Sequence, residues 1–466
     1  MILQAIFPAL PRRERLVLAG GLVFLLGAAF LIGTVLHGYE QTEFDSPEHD
    51  GYIQLARSLA QGDGYRFWPD GPPSLFRPPA YVALLVPIAM FPPAWQPVLV
   101  IMLNSLLLWG AGCFLYALVR EVFSPLVAKI TVVLLWVNFS VLWCLKNPTT
   151  WTMQMFIIAG AAYWAWRAFR AHGSAGLGVV LGFFAGVAML THGVFLIAFA
   201  VMAVGTASGI AWMRAWSKVV PLLAACGMAA VIVLPWTWRN YEVSGRFIPV
   251  VEGAGQSYFI GNAAAGMAPL DPAITPRPHR FTYTDIGAAL EMAGLDEGLA
   301  AGAKYGGFPG LDTEQRLDEA MAQDMHQRPL QLIPKAIFNT VQMFFPIVHF
   351  VWRAPVYQVP TPVSLRVLYD GFITLCNLVL WIGAAWGWGG LTSPAQRHGY
   401  LLLLGGIAAY VMVYMPLSSA SIHAGYAFPA YVLLTPLTAL GVERVIARMR
   451  ESRTRSEAVA QGNAGG

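Results

Sequence analysis

Charge is scarce in this sequence. Asp, Glu, Lys and Arg make up 12% of the 466 residues, against about a quarter in soluble domains, so an ordinary soluble domain is excluded. Cysteine is scarce as well. Cys113, Cys144, Cys226 and Cys376 lie in or beside apolar runs and share no pairing or metal-ligand spacing, which argues against a disulfide framework. Net charge is only +4, and the basic residues gather at the ends of apolar runs. That pattern points to anchoring at membrane lipids, with no nucleic acid as partner. No repeat of about 20–50 residues is evident. No small-x-small cleavage site follows Leu16–Leu36, and this run of about 21 residues is too long for a leader's apolar core. It reads as a retained first span.

What fills the chain is apolar: 57% of residues are hydrophobic. The runs predict spans at Leu16–Leu36, Val98–Val119, Leu126–Leu142, Trp151–Trp166, Gly176–Thr191, Val194–Trp212, Val219–Trp236, Gly371–Trp388, Tyr400–Met415 and Tyr426–Val442. Arg12, Arg13 and Arg15, then Arg120 and Lys129, Arg167 and Arg170, and Arg214 and Lys218 all fall on one side, which is the cytoplasm by the positive-inside rule. The tail with Arg444, Arg448, Arg450, Arg453 and Arg455 belongs there too. Counting Lys335–Trp352 as another crossing would put that tail outside. With Asn339, Gln342 and Pro346 in it, this segment reads as an interfacial or re-entrant helix. The fold expected is an all-α integral membrane protein of about ten transmembrane helices, range about nine to twelve.

Its organisation reads as an N-terminal transmembrane module over 1–237 that includes a first outer loop at 38–95. A second outer loop with an interfacial helix follows over 238–352, then C-terminal transmembrane helices over 353–443 and a basic tail over 444–466. Both outer loops are too long to be simple connectors and are the places to look for function. In the first, Ser46-Pro47 reads as a helix start and Gly62 as its end, with Tyr52, Leu55, Ala56 and Leu59 on a face suited to the membrane interface. In the second, Thr313–Gln327 reads as a helix with Thr313 as N-cap and Pro329 just past its end.

Several segments together resemble a known family. Residues 235–262 read PWTWRNYEVSGRFIPVVEGAGQSYFIGN. The first loop carries Asp45-Ser46, Tyr52, Leu55-Ala56, Gly62-Asp63-Gly64-Tyr65 and Arg77-Pro78-Pro79. In order and spacing these are similar to the C-superfamily of polytopic glycosyltransferases, specifically family 39, the dolichyl-phosphate-mannose–protein mannosyltransferases and their bacterial relatives. The resemblance implies transfer of a sugar from a polyprenyl-phosphate donor to an acceptor protein, lipid or glycan. It implies a bacterial inner membrane and an active site on the periplasmic or extracellular side.

The chemistry such an enzyme needs is modest. A glycosyl phosphate already has a stable leaving group, so the requirements are a base for the acceptor's proton and cations for the departing phosphate. Asp45, with Asp50 and Glu48 behind it, is the candidate base; as plain helix-start acids the three would only offset the helix dipole. Asp45 stands seven residues before Tyr52 where the family spacing is about four, and Glu48 has that spacing. Arg239 is the cation candidate at the end of its span, or simply an interfacial anchor. Arg77, Lys146, Asn240, His192, His423, Tyr52 and Tyr426 complete the candidate binding residues. His192 stands where the family's Leu-Thr-Arg-Pro has Arg, and Thr149-Thr150 stands where it has Ser/Thr-Glu. No cofactor is read from the sequence. A divalent metal stays open, without ligand spacing to support it. The other readings are a lipid-linked glycan or solute transporter, disfavoured by the absence of a repeat, and a non-catalytic glycan-binding subunit.

Overall fold

The computed structural model describes residues 11–32, 51–171, 173–271, 273, 286–295, 311–345, 363–417 and 427–464. Among these residues the architecture is all-α, with no strand. The first half holds α1 (Arg12–Phe30), α2 (Tyr52–Gln61), α3 (Pro79–Ala89), α4 (Gln96–Val122), α5 (Pro125–Trp136), α6 (Phe139–Trp143) and α7 (Trp151–Arg170). There follow α8 (Ala175–Met189), α9 (Val194–Trp212) and α10 (Val219–Ser244). Then come α11 (Ala254–Ala265), α12 (Ile286–Ala293), α13 (Leu311–Gln327) and α14 (Leu332–Phe344). The chain closes with α15 (Val363–Trp388), α16 (Pro394–Leu417) and α17 (Phe428–Ala464).

Five described helices or helix runs are long and apolar enough to cross a membrane, six if α5 and α6 form one bent span. The other helices within the expected count of about ten fall short in length or apolarity. Helix α8 has 15 residues, and α7 ends in Arg167 and Arg170. The bundle packs through small residues, as membrane helices must when apolar burial cannot drive association. Gly178 and Gly182 bring α8 onto the backbone of α10 at Pro221 and Ala225. Gly383 and Gly441 bring α15 onto α17 in the same way.

The segment after α10 folds around its own small core of Tyr258, Phe259, Ile260, Leu290 and Leu317, built by α11, α12 and α13. Helix α14 follows. Its 13 residues rise about 20 Å, short of the roughly 30 Å hydrocarbon core. It buries Lys335, Asn339 and Gln342 while Ile333 and Ile337 stand exposed. That is the reverse of a soluble surface helix and suits a helix lying against lipid.

Four details differ from the sequence reading. The helix expected from Ser46-Pro47 does not run unbroken to Gly62: Gly51 takes a left-handed φ of 67° and α2 starts only at Tyr52. A side chain at Gly51 would also strike the Phe67 ring. Residues 46–47 themselves lie outside the described residues. The face of α2 expected at the membrane surface instead turns inward. Tyr52, Leu55 and Ala56 are buried while Leu59 is exposed, because the apolar α3, left unassigned within the loop, packs against it. The span expected at Leu126–Leu142 is bent by 54° after Trp136, where the Asn138 side chain accepts from Val141 N and starts a new helix. Thr313 is not an N-cap, since α13 already runs from Leu311.

Candidate active site

The described part of the first loop is a platform built on Tyr65. The Tyr65 hydroxyl donates to the Arg77 carbonyl (2.9 Å) and Pro78 carbonyl (3.2 Å), and its own carbonyl accepts from Ser74 N at 2.8 Å. These bonds fold residues 65–78 into a compact turn. Pro79 then opens α3 with φ preset for a helix. The Arg77 guanidinium lies over two rings, Phe76 at 4.7 Å and Tyr52 at 5.3 Å. Ala80 N donates to the Leu190 carbonyl at 2.9 Å, which joins the start of α3 to the end of α8.

That junction sets His192 near Arg77. His192 occupies the turn between α8 and α9. Burial, and then the Arg77 charge, press its pKa down to about 4. It is neutral at physiological pH, and its Nδ1 accepts a long bond from Val194 N (3.5 Å).

Arg239 enters the same place from α10. Its Nη1 donates to the Ser74 carbonyl (2.7 Å) and to Asn240 Oδ1 (3.2 Å). Its guanidinium lies over the Trp236 ring at 4.8 Å and the Tyr65 ring at 5.4 Å. Tyr65 and Trp236 meet edge to face, with centroids 4.9 Å apart. Asn240 is fully buried. Its Nδ2 donates to the carbonyls of Ile248 (3.1 Å) and Val250 (2.9 Å), while Trp236 Nε1 donates to Val250 O at 2.8 Å. The chain after α10 is thus folded back onto the helix end, and Glu252 N reaches the Leu75 carbonyl at 3.0 Å. Tyr65 is where the cluster meets: burial raises its hydroxyl well above the usual range, Tyr52 adds to this, and Arg239 and Arg77 oppose it.

Lys146 is tied to this cluster through Asn104 and Tyr81. It closes the short turn Cys144–Lys146 and is buried. Asn104 on α4 holds the carbonyls on either side of it and also accepts from Tyr81 on α3. Tyr81 in turn meets the Tyr52 ring edge to face at 5.7 Å.

The structure therefore brings together Tyr52, Arg77, His192, Arg239 and Asn240 and links Lys146 to them. Asp45, Glu48, Asp50, His423 and Tyr426 lie outside the described residues. The sequence reading placed Tyr65 in a motif without giving it a role, and it missed Tyr81, Asn104 and Glu252. A polar Asn inside an apolar run was the readable signal for Asn104.

Glu252 is the described acid fastened to this platform. It pairs with Arg246 at 3.0 Å. Burial raises its pKa to about 7; Arg246 pulls it down and Asp318 pushes it up. Asp318 Oδ1 accepts from Gly255 N (2.9 Å) at the start of α11. Glu314, on α13 with Asp318, is buried, and burial above all holds its pKa well above the carboxylate range. Among the described residues no group of three or more His, Cys, Asp or Glu side chains is placed to hold a metal.

No protein-family model matches the chain, and no curated protein does. Solved structures do. The oligosaccharyltransferase AglB from Archaeoglobus fulgidus, in complex with an inhibitory peptide and a dolichol-phosphate, is 14% identical. The match covers 96% of this chain and 52% of that one, at a TM-score of 0.53. The apo form of the Archaeoglobus fulgidus oligosaccharyltransferase is 12% identical over 95% of this chain and 52% of that one, at 0.51. This chain shares the fold of the matched part of that oligosaccharyltransferase. It spans about half the length of the oligosaccharyltransferase it matches. ArnT from Cupriavidus metallidurans bound to undecaprenyl phosphate is 17% identical over 91% of this chain and 78% of that one, at a TM-score of 0.36. In this fold the cation cluster sits where the first loop meets the end of α10.

Proposed function

We propose that this chain is a membrane glycosyltransferase that moves a sugar from a polyprenyl-phosphate donor to an acceptor protein, lipid or glycan at the outer face of the membrane. The observation that carries the reading is the convergence of Arg77 and Arg239 on Tyr65. Each guanidinium is backed by aromatic rings and held by the folded first loop. Rigid, aromatic-backed guanidiniums at a membrane boundary suit a lipid phosphate. The matched oligosaccharyltransferase binds a dolichol-phosphate, which is the same headgroup chemistry.

In this reading Arg77 and Arg239 bind the donor phosphate and stabilise the charge that grows on it as the glycosidic bond breaks. Neutral His192 adds a hydrogen bond beside Arg77. Asp45 takes the proton from the acceptor hydroxyl or amide, with Glu48 and Asp50 as the alternatives. Attack opposite the phosphate inverts the anomeric centre, as in single-displacement glycoside chemistry. The sugar is set by the shape of the pocket.

The second reading is a non-catalytic subunit that holds a lipid-linked glycan. What favours it is Thr150: it stands where the family pattern carries an acid, and its hydroxyl accepts from Gln154 Nε2 at 2.7 Å. One assay separates the two. The purified chain is given labelled polyprenyl-phosphate sugars and a set of acceptors, beside Asp45→Asn, Glu48→Gln and Asp50→Asn. Transfer lost in one folded variant names the base. Donor binding with no transfer by the unmodified chain would leave the binding subunit.

A further inference from the structure

Asn104 stands in the apolar helix α4 and makes four side-chain hydrogen bonds. It is fully buried. Its Nδ2 donates to the carbonyls of Leu145 (3.0 Å) and Asn147 (2.8 Å). Its Oδ1 accepts from the hydroxyls of Tyr81 (2.9 Å) and Thr152 (2.7 Å). Carbonyls can only accept, so the two carbonyl partners fix which end of the amide is nitrogen. One amide thus satisfies two donors and two acceptors with none to spare. A polar side chain inside a membrane bundle is costly to keep unless it has work there.

The partners show what that work is. Leu145 and Asn147 flank Lys146, so the nitrogen end clamps the turn that presents a buried cation. The oxygen end holds Tyr81 on α3. The Tyr81 ring meets Tyr52 edge to face at 5.7 Å, and Tyr52 lies under Arg77 at 5.3 Å. The third partner, Thr152, lies in the first turn of α7 just after the Lys146 loop. Elements that are separate in sequence are therefore fastened to one side chain.

We propose that Asn104 is a positioning residue that sets Lys146 in register with the Arg77 platform, so that both cations act on one phosphate headgroup. The proposal rests on the polyprenyl-phosphate reading above. It adds Lys146 to the phosphate-binding set and makes its contribution depend on a residue that never touches the ligand. Arg239 is held independently, by Ser74 O and the Trp236 ring, and serves as the internal control.

The test is binding of undecaprenyl phosphate to the full chain in nanodiscs, measured for Lys146→Gln and Arg239→Gln in two backgrounds, unmodified and Asn104→Leu. In the unmodified background each change weakens binding about tenfold, the size of one charge-assisted contact. In the Asn104→Leu background Lys146→Gln costs less than about twofold more, while Arg239→Gln still costs its full factor. An equal cost of Lys146→Gln in both backgrounds overturns the proposal. So does loss of the Arg239 effect in Asn104→Leu, which would make Asn104 a general scaffold. Binding that ignores Lys146→Gln overturns this proposal and spares the function reading. Absence of binding by the folded, unmodified chain defeats both.

Discussion

Arg239 lies over the Trp236 indole at 4.8 Å while donating to the Ser74 carbonyl at 2.7 Å. One guanidinium thus uses its flat face on α10 and its edge on the first loop. An ammonium offers a point charge and no plane, so it cannot lay a flat face on the indole and an edge on the carbonyl at once. Arg239→Lys is therefore not conservative here. It should weaken binding of a polyprenyl phosphate by about tenfold and loosen the first loop, at a cost of roughly 1–2 kcal/mol in stability. Parallel thermal melts and lipid-phosphate titrations check both halves. A Lys variant that matched the parent in both would show that only charge matters at this position.

Glu252 gives the segment after α10 a pH dependence of known sign. Its pKa in the fold is raised, to about 7. Stability is therefore full below the unfolded value near 4.5 and is lost as pH rises through 7. The groups facing it are Arg246, Asp318 and, through Asp318, the buried Glu314. Hydrogen exchange in α11 and α13, corrected for intrinsic rate, should be slower at pH 5 than at pH 8, by the equivalent of about 2 kcal/mol. Glu252→Gln should flatten that difference. An unchanged profile in the Gln variant would assign the pH dependence to another group.

His192 has the opposite sign. Its pKa is depressed to about 4, so its contribution is present above the ordinary value near 6.5 and is lost as pH falls towards 4. His192→Arg would restore the residue that the family resemblance expects. It would also put a second fixed cation in a buried turn beside Arg77. The expected result is loss of thermal stability, on the order of 1–3 kcal/mol, that high salt relieves only in part. His192→Gln should be close to neutral in a melt at pH 7.5.

The sequence made the helical membrane class readable, for a physical reason. Long apolar runs and their basic edges are local properties, and Val194–Trp212 is a helix with the same bounds as the expected span. Arg77 and Arg239 stand next to Pro and Trp in short motifs. What is not local was not readable. Gly51 in a left-handed conformation divides the first loop, because a Phe67 ring occupies the space a side chain would need. Tyr81 and Asn104 acquire meaning only when α3, α4 and the Lys146 turn meet. Glu252 looks like an ordinary loop acid until the fold buries it against Arg246 and Asp318.

The last prediction joins packing to the site. Helix α8 ends two residues before Thr191-His192, and α10 carries Arg239 in its last turns. The two helices touch along Gly178, Gly182 and Gly186. A Cβ at Gly182 would fall 2.3 Å from the Ala225 carbonyl oxygen and 2.8 Å from its Cα. Both are backbone atoms, which cannot swing aside as a side chain can. A larger residue must therefore push the helices apart, and the displacement carries His192 and Arg239 with it. Gly182→Leu should cost at least about 2 kcal/mol of stability and lose lipid-phosphate binding even in the fraction that remains folded. Gly227 on α10 has nothing within 4 Å, so Gly227→Ala should be neutral or gain a few tenths of a kcal/mol from helix propensity. If Gly182→Leu binds the lipid phosphate normally, the α8–α10 contact does not set the distance between His192 and Arg239, and the platform must be held by the first loop alone.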